Sequence, residues 1–130
     1  MTKIKICGLY RACDVEYVNR ARPDWCGFVI NFPKSHRSVT AQWARELRAG
    51  LSRCVRPVGV FVDRPPEEVA ALLNDGTLAV AQLHGHEDAD YIARLRAMAP
   101  GIFSGVSPPA SRNGRLTPPA SDQSKVCPVP

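Results

Sequence analysis

A chain of 130 residues, 45% of them hydrophobic, has room for one domain with a packed core. No stretch approaches the roughly 18 continuous apolar residues of a membrane-crossing helix, and the interrupted run from Met1 to Leu9 is too short for a secretion signal, so no membrane association and a cytoplasmic location are expected. The net charge of +5 comes from arginines scattered along helical faces without clustering or interleaved aromatics, which argues against a nucleic-acid surface and leaves only a general attraction for small anions.

In chain order, short β-branched runs alternate with longer amphipathic stretches. Ile4-Lys5-Ile6-Cys7 is the first apolar run. From Asp14 to Ala21, Val15, Tyr17 and Val18 fall at near-helical spacing, and Pro23 closes the segment. The second run is Trp25 to Ile30, followed by a loop from Asn31 to Ser38 that contains Pro33. Thr40 is a good N-cap for a helix that carries Trp43, Ala44 and Leu47 and stops at Gly50. Val58 to Val62 is the third run. Pro65 and Pro66 then open a helix at its first turn, where a missing N–H costs little, with Glu67 and Glu68 at its positive end and Val69, Leu72 and Leu73 as its apolar face. Leu78 to Leu83 is the fourth run. A last helix, from about Ala89 to Met98, carries Tyr91, Ile92 and Leu95 on one face and ends at Pro100-Gly101.

These are four β-α units. Continuously apolar strands are expected where both faces of a sheet are buried, and the alternation implies parallel strands in the order one to four with right-handed crossovers. Periodicity alone allows an open doubly wound sheet and a barrel segment equally. After Gly101 the composition changes. Residues 102–130 hold six of the chain's twelve prolines and five serines, and the pairs Pro108-Pro109 and Pro118-Pro119 deny both helix and central strand. An irregular or disordered tail is expected there.

Four segments carry a resemblance. Lys5-Ile6-Cys7-Gly8-Leu9 resembles the K-I-C-G opening of the phosphoribosylanthranilate isomerases of tryptophan biosynthesis. Gly27 to Ile30, followed by Pro33-Lys34-Ser35-His36-Arg37-Ser38-Val39, resembles that family's G-F-V-F and P-K-S-x-R-x-V segments. Val58 to Val62 resembles its third strand, and Gln82-Leu83-His84-Gly85-His86-Glu87 its Q-L-H-G-x-E loop. Each motif alone is weak; the four in order at successive strand ends are specific. The resemblance covers residues 3 to about 100. It implies a TIM (β/α)8-barrel fold, here as the first four β-α units over 1–101, with the irregular tail over 102–130.

The resemblance further implies an Amadori rearrangement of N-(5-phosphoribosyl)anthranilate. An acid opens the furanose ring to a Schiff base, a base removes the C2′ proton, and the enolamine tautomerises to the ketone. No cofactor and no metal are expected, because the iminium nitrogen is the electron sink. Cys7 matches the family's general base, at the C-terminal strand end where barrel chemistry sits. A thiol does that work near neutral pH only where its surroundings favour the thiolate. Arg37 matches the arginine that binds the substrate, with a planar fork suited to the anthranilate carboxylate. His84 and Gln82 are further substrate-binding candidates, as wall or hydrogen-bond partners. The five cysteines form no C-x-x-C pair, so reduced thiols are expected, Cys26 and Cys54 as small buried hydrophobes.

Three departures stand against this pattern. Tyr10 replaces a threonine beside the base, and His36 occupies a variable loop position. The family's acidic strand run and its late glycine-rich phosphate loops are not reproduced; Asp122, Gly105 and Gly114 lie in the irregular tail. Roughly half of an eight-unit barrel is therefore expected to be lacking, as after a shift of reading frame near Ile102. The alternative to an isomerase is a catalytically inactive fragment that self-associates through exposed sheet edges. A small flavodoxin-like phosphate binder is disfavoured by the lack of a glycine-rich phosphate loop.

Overall fold

The computed structural model of the chain describes residues 2–99. The expected helix stop at Pro100-Gly101, the tail, Gly105, Gly114 and Asp122 lie outside the described residues. Within them the order is β1 (Lys5–Cys7), α1 (Ala12–Ala21), β2 (Trp25–Ile30), β3 (Ser38–Val39), α2 (Ala41–Ala49), β4 (Arg56–Phe61), α3 (Pro66–Asn74), β5 (Val80–Leu83) and α4 (Ala89–Met98). The main strands run in the order β1-β2-β4-β5, every pairing parallel, so the four expected units follow one another across the sheet.

The faces of the sheet separate the two architectures that periodicity left open. Cys26, Phe28, Ile30, Phe61, Ala81 and Leu83 alternate onto one face and join a single core with Val15 and Val18 of α1, Ala44 and Leu47 of α2, Val69 and Leu72 of α3 and Leu95 of α4. All four helices thus cover one face. A doubly wound sheet would place helices on both. On the opposite face the register aligns Lys5 with Trp25 and Arg56, Cys7 with Gly27, Val58 and Val80, and Val60 with Gln82. This face is rolled inward. The side chains of Lys5 and Gln82, on β1 and β5, hydrogen-bond to each other, although those strands would stand roughly 14 Å apart on a flat sheet.

Several boundaries differ from expectation for local reasons. The loop after β2 returns as a two-residue strand: β3 lies beside the end of β2, Asn31 N–H donates to Val39 O at 2.9 Å, and Ser38 Oγ accepts from Phe32 N–H at 2.9 Å. β4 starts two residues early and includes Pro57. Arg56 N–H faces β2 and donates to Asp24 O, so the proline nitrogen faces the other side, where β5 begins only opposite Val58 and no donor is missed. α1 starts two residues early because Asp14 accepts from the Arg11 and Tyr10 N–H groups at 2.9 and 3.1 Å and closes the first turn. Thr40 caps α2 as expected, accepting from Trp43 N–H at 3.1 Å, and Asp88 caps α4 through Tyr91 N–H at 2.8 Å.

Trp43 is not a core residue. Its ring stays partly exposed while its indole N–H donates to Tyr10 O at 2.8 Å, tying α2 to the loop after β1. Cys26 is fully buried, and desolvation pushes its thiol up to about 12. Cys7 and Cys13 are also free thiols. Cys54 is half-buried rather than fully buried. Among the described residues no helix is long and apolar enough to cross a membrane.

Candidate active site

Cys7 ends β1, exposed and free, at the C-terminal edge of the sheet. The chain leaves the strand through Gly8 at φ +91, with Gly8 and Leu9 N–H both donating to Gly27 O at 2.9 and 3.0 Å. Glycine is required here twice over. Its φ is unfavourable for other residues, and a Cβ would lie 2.8 Å from Arg37 Cδ. That approach lets Arg37 lie over the turn, its Nη1 donating to Gly8 O at 3.3 Å. Cys7, Gly8, Asp14, Tyr17 and Arg37 line one cleft of about 190 Å³. The loop arginine and the strand cysteine, thirty residues apart in the chain, thus line the same cleft.

Tyr10 takes a supporting place in this arrangement. Its ring is half-buried with the Arg37 guanidinium 5.7 Å and the Arg11 guanidinium 5.2 Å from its centroid, and His36 meets it edge-on at 6.4 Å. A cation over an aromatic face is attracted by the ring quadrupole, so the bulkier residue beside the base steadies the arginine. Asp14 is bound by the Arg11 side chain, which lowers it to about 2. It is a fixed anion at neutral pH and holds no proton to give.

Gln82 is half-buried on the concave face, and its Oε1 accepts from Lys5 Nζ. The lysine stem passes over Gly27, where a Cβ would lie 3.2 Å from Lys5 Cε and 2.7 Å from Cys7 Sγ. Lys5 has no role in the motif reading. The alternation Ile4-Lys5-Ile6-Cys7 does put lysine and thiol on one face, and that signal was available. His84 follows β5, exposed at the same sheet edge, its N–H donating to Phe61 O at 2.8 Å. It shares the sheet edge with Cys7.

A clasp on the rim went unseen in the sequence. Asp63, at φ +50 after β4, accepts from His86 N–H at 2.6 Å and pairs with His86 Nδ1 at 2.9 Å. Glu87 returns the bond, accepting from Asp63 N–H at 3.0 Å and Gly85 N–H at 2.8 Å. Gly85 has no room for a Cβ, which would lie 2.5 Å from Asp63 Oδ1. The pair shifts mutually: Asp63 is lowered by His86, and His86 is raised by Asp63. The cleft beside it, about 480 Å³ and lined by Arg64, Glu87, Asp88 and Arg94, is larger than the one at the thiol but holds none of the expected site residues except the flank of this loop.

The comparisons bear on this geometry. The family model of N-(5′-phosphoribosyl)anthranilate isomerase matches residues 4–129. The chain belongs to that family. An N-(5′-phosphoribosyl)anthranilate isomerase of Thermoanaerobacter pseudethanolicus is 44% identical over 96 residues, 74% of this chain and 46% of the relative. One of Clostridium kluyveri is 46% identical over 92 residues, 71% of this chain and 45% of the relative. The chain therefore spans about half the length of the curated isomerases it matches. Among solved structures, the isomerase of Thermotoga maritima superposes with a TM-score of 0.67 at 32% identity, covering 75% of this chain and 47% of that one. A family structure in complex with reduced 1-(o-carboxyphenylamino)-1-deoxyribulose 5-phosphate gives 0.67 at 32%, covering 75% and 50%. Another Thermotoga maritima structure is described as a monomer generated from a dimeric isomerase, with a TM-score of 0.66 at 32% identity and coverage of 75% and 49%.

Proposed function

We propose that this chain carries the base and carboxylate-binding side of an isomerase site for N-(5′-phosphoribosyl)anthranilate. The observation that carries the reading is that Cys7 and Arg37 line one cleft at the end of β1, with Arg37 held on the turn by its bond to Gly8 O. A guanidinium fork binds a carboxylate through two charge-assisted bonds, which seats the anthranilate ring beside the thiol. From there Cys7 as thiolate takes the C2′ proton of the ring-opened Schiff base. The electrons pass to the iminium nitrogen, so the step as written calls for no cofactor. Gln82 and His84 contribute polar groups to the same mouth, and the family complex with a reduced amino-deoxyribulose phosphate supports a phosphosugar as the ligand. Asp14, lowered to about 2 by the Arg11 side chain, is ionised at neutral pH and is not the acid that opens the ring. A dissolved phosphosugar substrate makes the cytoplasm the expected location.

The test is turnover of N-(5′-phosphoribosyl)anthranilate by the purified chain and its Cys7→Ala and Cys7→Ser variants. A general base contributes roughly 10²–10⁴-fold, and both variants are expected to lose that much. Measurable turnover at one rate in all three proteins would remove Cys7 from the mechanism, and no turnover by the wild-type chain would favour the inactive fragment.

A second reading rests on a separate observation. Among the described residues β1 and β5 each pair on one side only, and Ile4, Ile6 and Tyr17 stand 56, 38 and 59% exposed along the β1 side. Open strand edges beside apolar side chains favour association, so we also propose that two copies of the chain associate along these edges.

A further inference from the structure

The hydrogen bond from Lys5 to Gln82 spans the concave face from β1 to β5 and is not used in the chemistry above. We propose that Lys5 is a positioning residue: it fixes the Gln82 amide so that the NH₂ group, and not the oxygen, faces the phosphosugar. This rests on the isomerase reading. An ammonium has three donors and no acceptor, so the atom of Gln82 that faces it is the oxygen, and the amide cannot turn over without losing the bond. The NH₂ is then left as a pure donor on a half-buried side chain. Among the described residues it donates to no protein acceptor, so it is free to donate to an acceptor that a ligand brings. Gln82 stands one residue before the end of β5 and level with Val60, close to the strand ends that carry Cys7 and His84. An oxygen of a bound phosphosugar is the acceptor that this donor fits.

Gly27 supports the assignment independently. It is the residue on β2 that Lys5 crosses, and a Cβ there would stand 3.2 Å from Lys5 Cε. The bare backbone leaves a channel along which the lysine lies across the sheet. The arrangement fixes the direction of the lysine as well as that of the amide.

The experiment follows the side-chain amide signal of Gln82 in the ¹⁵N-labelled chain, assigned by its loss in Gln82→Leu. The probe is reduced 1-(o-carboxyphenylamino)-1-deoxyribulose 5-phosphate. The signal is expected to be a distinct pair that shifts on adding the probe, collapses toward the free-amide position in Lys5→Met and returns in Lys5→Arg, whose guanidinium is also donor-only. Lys5→Met and Gln82→Leu are each expected to weaken the probe about fivefold to tenfold, the worth of one neutral hydrogen bond, and the double variant no further. Gln82→Glu keeps a partner for Lys5 but has no donor, so it is expected to keep the unfolding midpoint and lose affinity like Gln82→Leu. Additive losses, a Gln82 signal indifferent to Lys5→Met, or wild-type affinity in Gln82→Glu would each overturn the positioning role while probe binding persists. A wild-type chain that does not bind the probe at all overturns the isomerase reading, and the ligand-facing role of Gln82 with it.

Discussion

Replacing Gly27 by alanine tests how closely the site is built into the sheet. The added methyl would lie 2.7 Å from Cys7 Sγ, 3.2 Å from Lys5 Cε and 3.3 Å from Cys7 Cα. The lysine end can swing aside. The sulfur can escape only by rotating one torsion, and the Cα is backbone, so β1 itself must give. Forcing an extra methyl into a packed place costs about 1–3 kcal/mol. Gly50→Ala supplies the control. Gly50 has φ −88, and its nearest approach would be 3.7 Å, to Val15 Cγ1. A glycine with ordinary φ and open space gains about 0.4–1 kcal/mol on substitution by alanine, because the unfolded chain loses freedom. Urea unfolding followed by tryptophan fluorescence reads both values, and mass-spectrometric alkylation of the Cys7 peptide reads the thiol. Gly27→Ala should lower the midpoint and change the rate at which Cys7 is alkylated, while Gly50→Ala leaves that rate alone. A Gly27→Ala chain with wild-type midpoint and wild-type alkylation would refute the packing of Cys7 and Lys5 over β2.

Further outcomes follow from the same geometry. Asp14 is lowered from its ordinary 3.8 to about 2, so its contribution is fully present above pH 4 and is lost as pH falls toward 2. Asp14→Asn should therefore cost about 0.5–1 kcal/mol at neutral pH, as loss of a helix-start anion does, with the gap from wild type closing in acid-unfolding curves; a gap constant down to pH 2 would contradict this. Phe28→Ala, at a fully buried core position on β2, should cost about 3–5 kcal/mol in urea unfolding, and a loss below 1 kcal/mol would remove it from the core. Size-exclusion chromatography with light scattering should find the chain associated, and a cooperatively folding monomer would reject association through the sheet edges.

The sequence showed some elements clearly and hid others. β2 and α4 fall on the expected residues because a six-residue apolar run and a capped helical face are strong local signals. β3 has two residues and therefore no period to read. Pro57 argues locally against a strand, and only the late start of β5 makes its missing donor harmless. The apolar strands alternate without a polar face, so which side meets the helices emerges only from the shared core. At the site, the motifs carried Cys7, Arg37, His84 and Gln82 to one sheet edge or face. They could not carry the Lys5 to Gln82 bond, which depends on register accumulated over three strand pairings and on curvature. The place of Tyr10 was hidden for a related reason: its neighbours Arg37 and Arg11 reach it from different segments, and only the fold sets both over one ring.

The central claim is that Cys7 and Arg37 face one ligand. Protection of Cys7 from iodoacetamide by reduced 1-(o-carboxyphenylamino)-1-deoxyribulose 5-phosphate measures it directly, peptide by peptide, with Cys13 as the internal reference. The analogue should slow alkylation of Cys7 and not of Cys13, and Arg37→Ala should raise the concentration needed by about 10–100-fold, the worth of charge-assisted hydrogen bonds to a carboxylate. Cys7 alkylated at one rate with and without saturating analogue, or protected equally well in Arg37→Ala, would contradict the account.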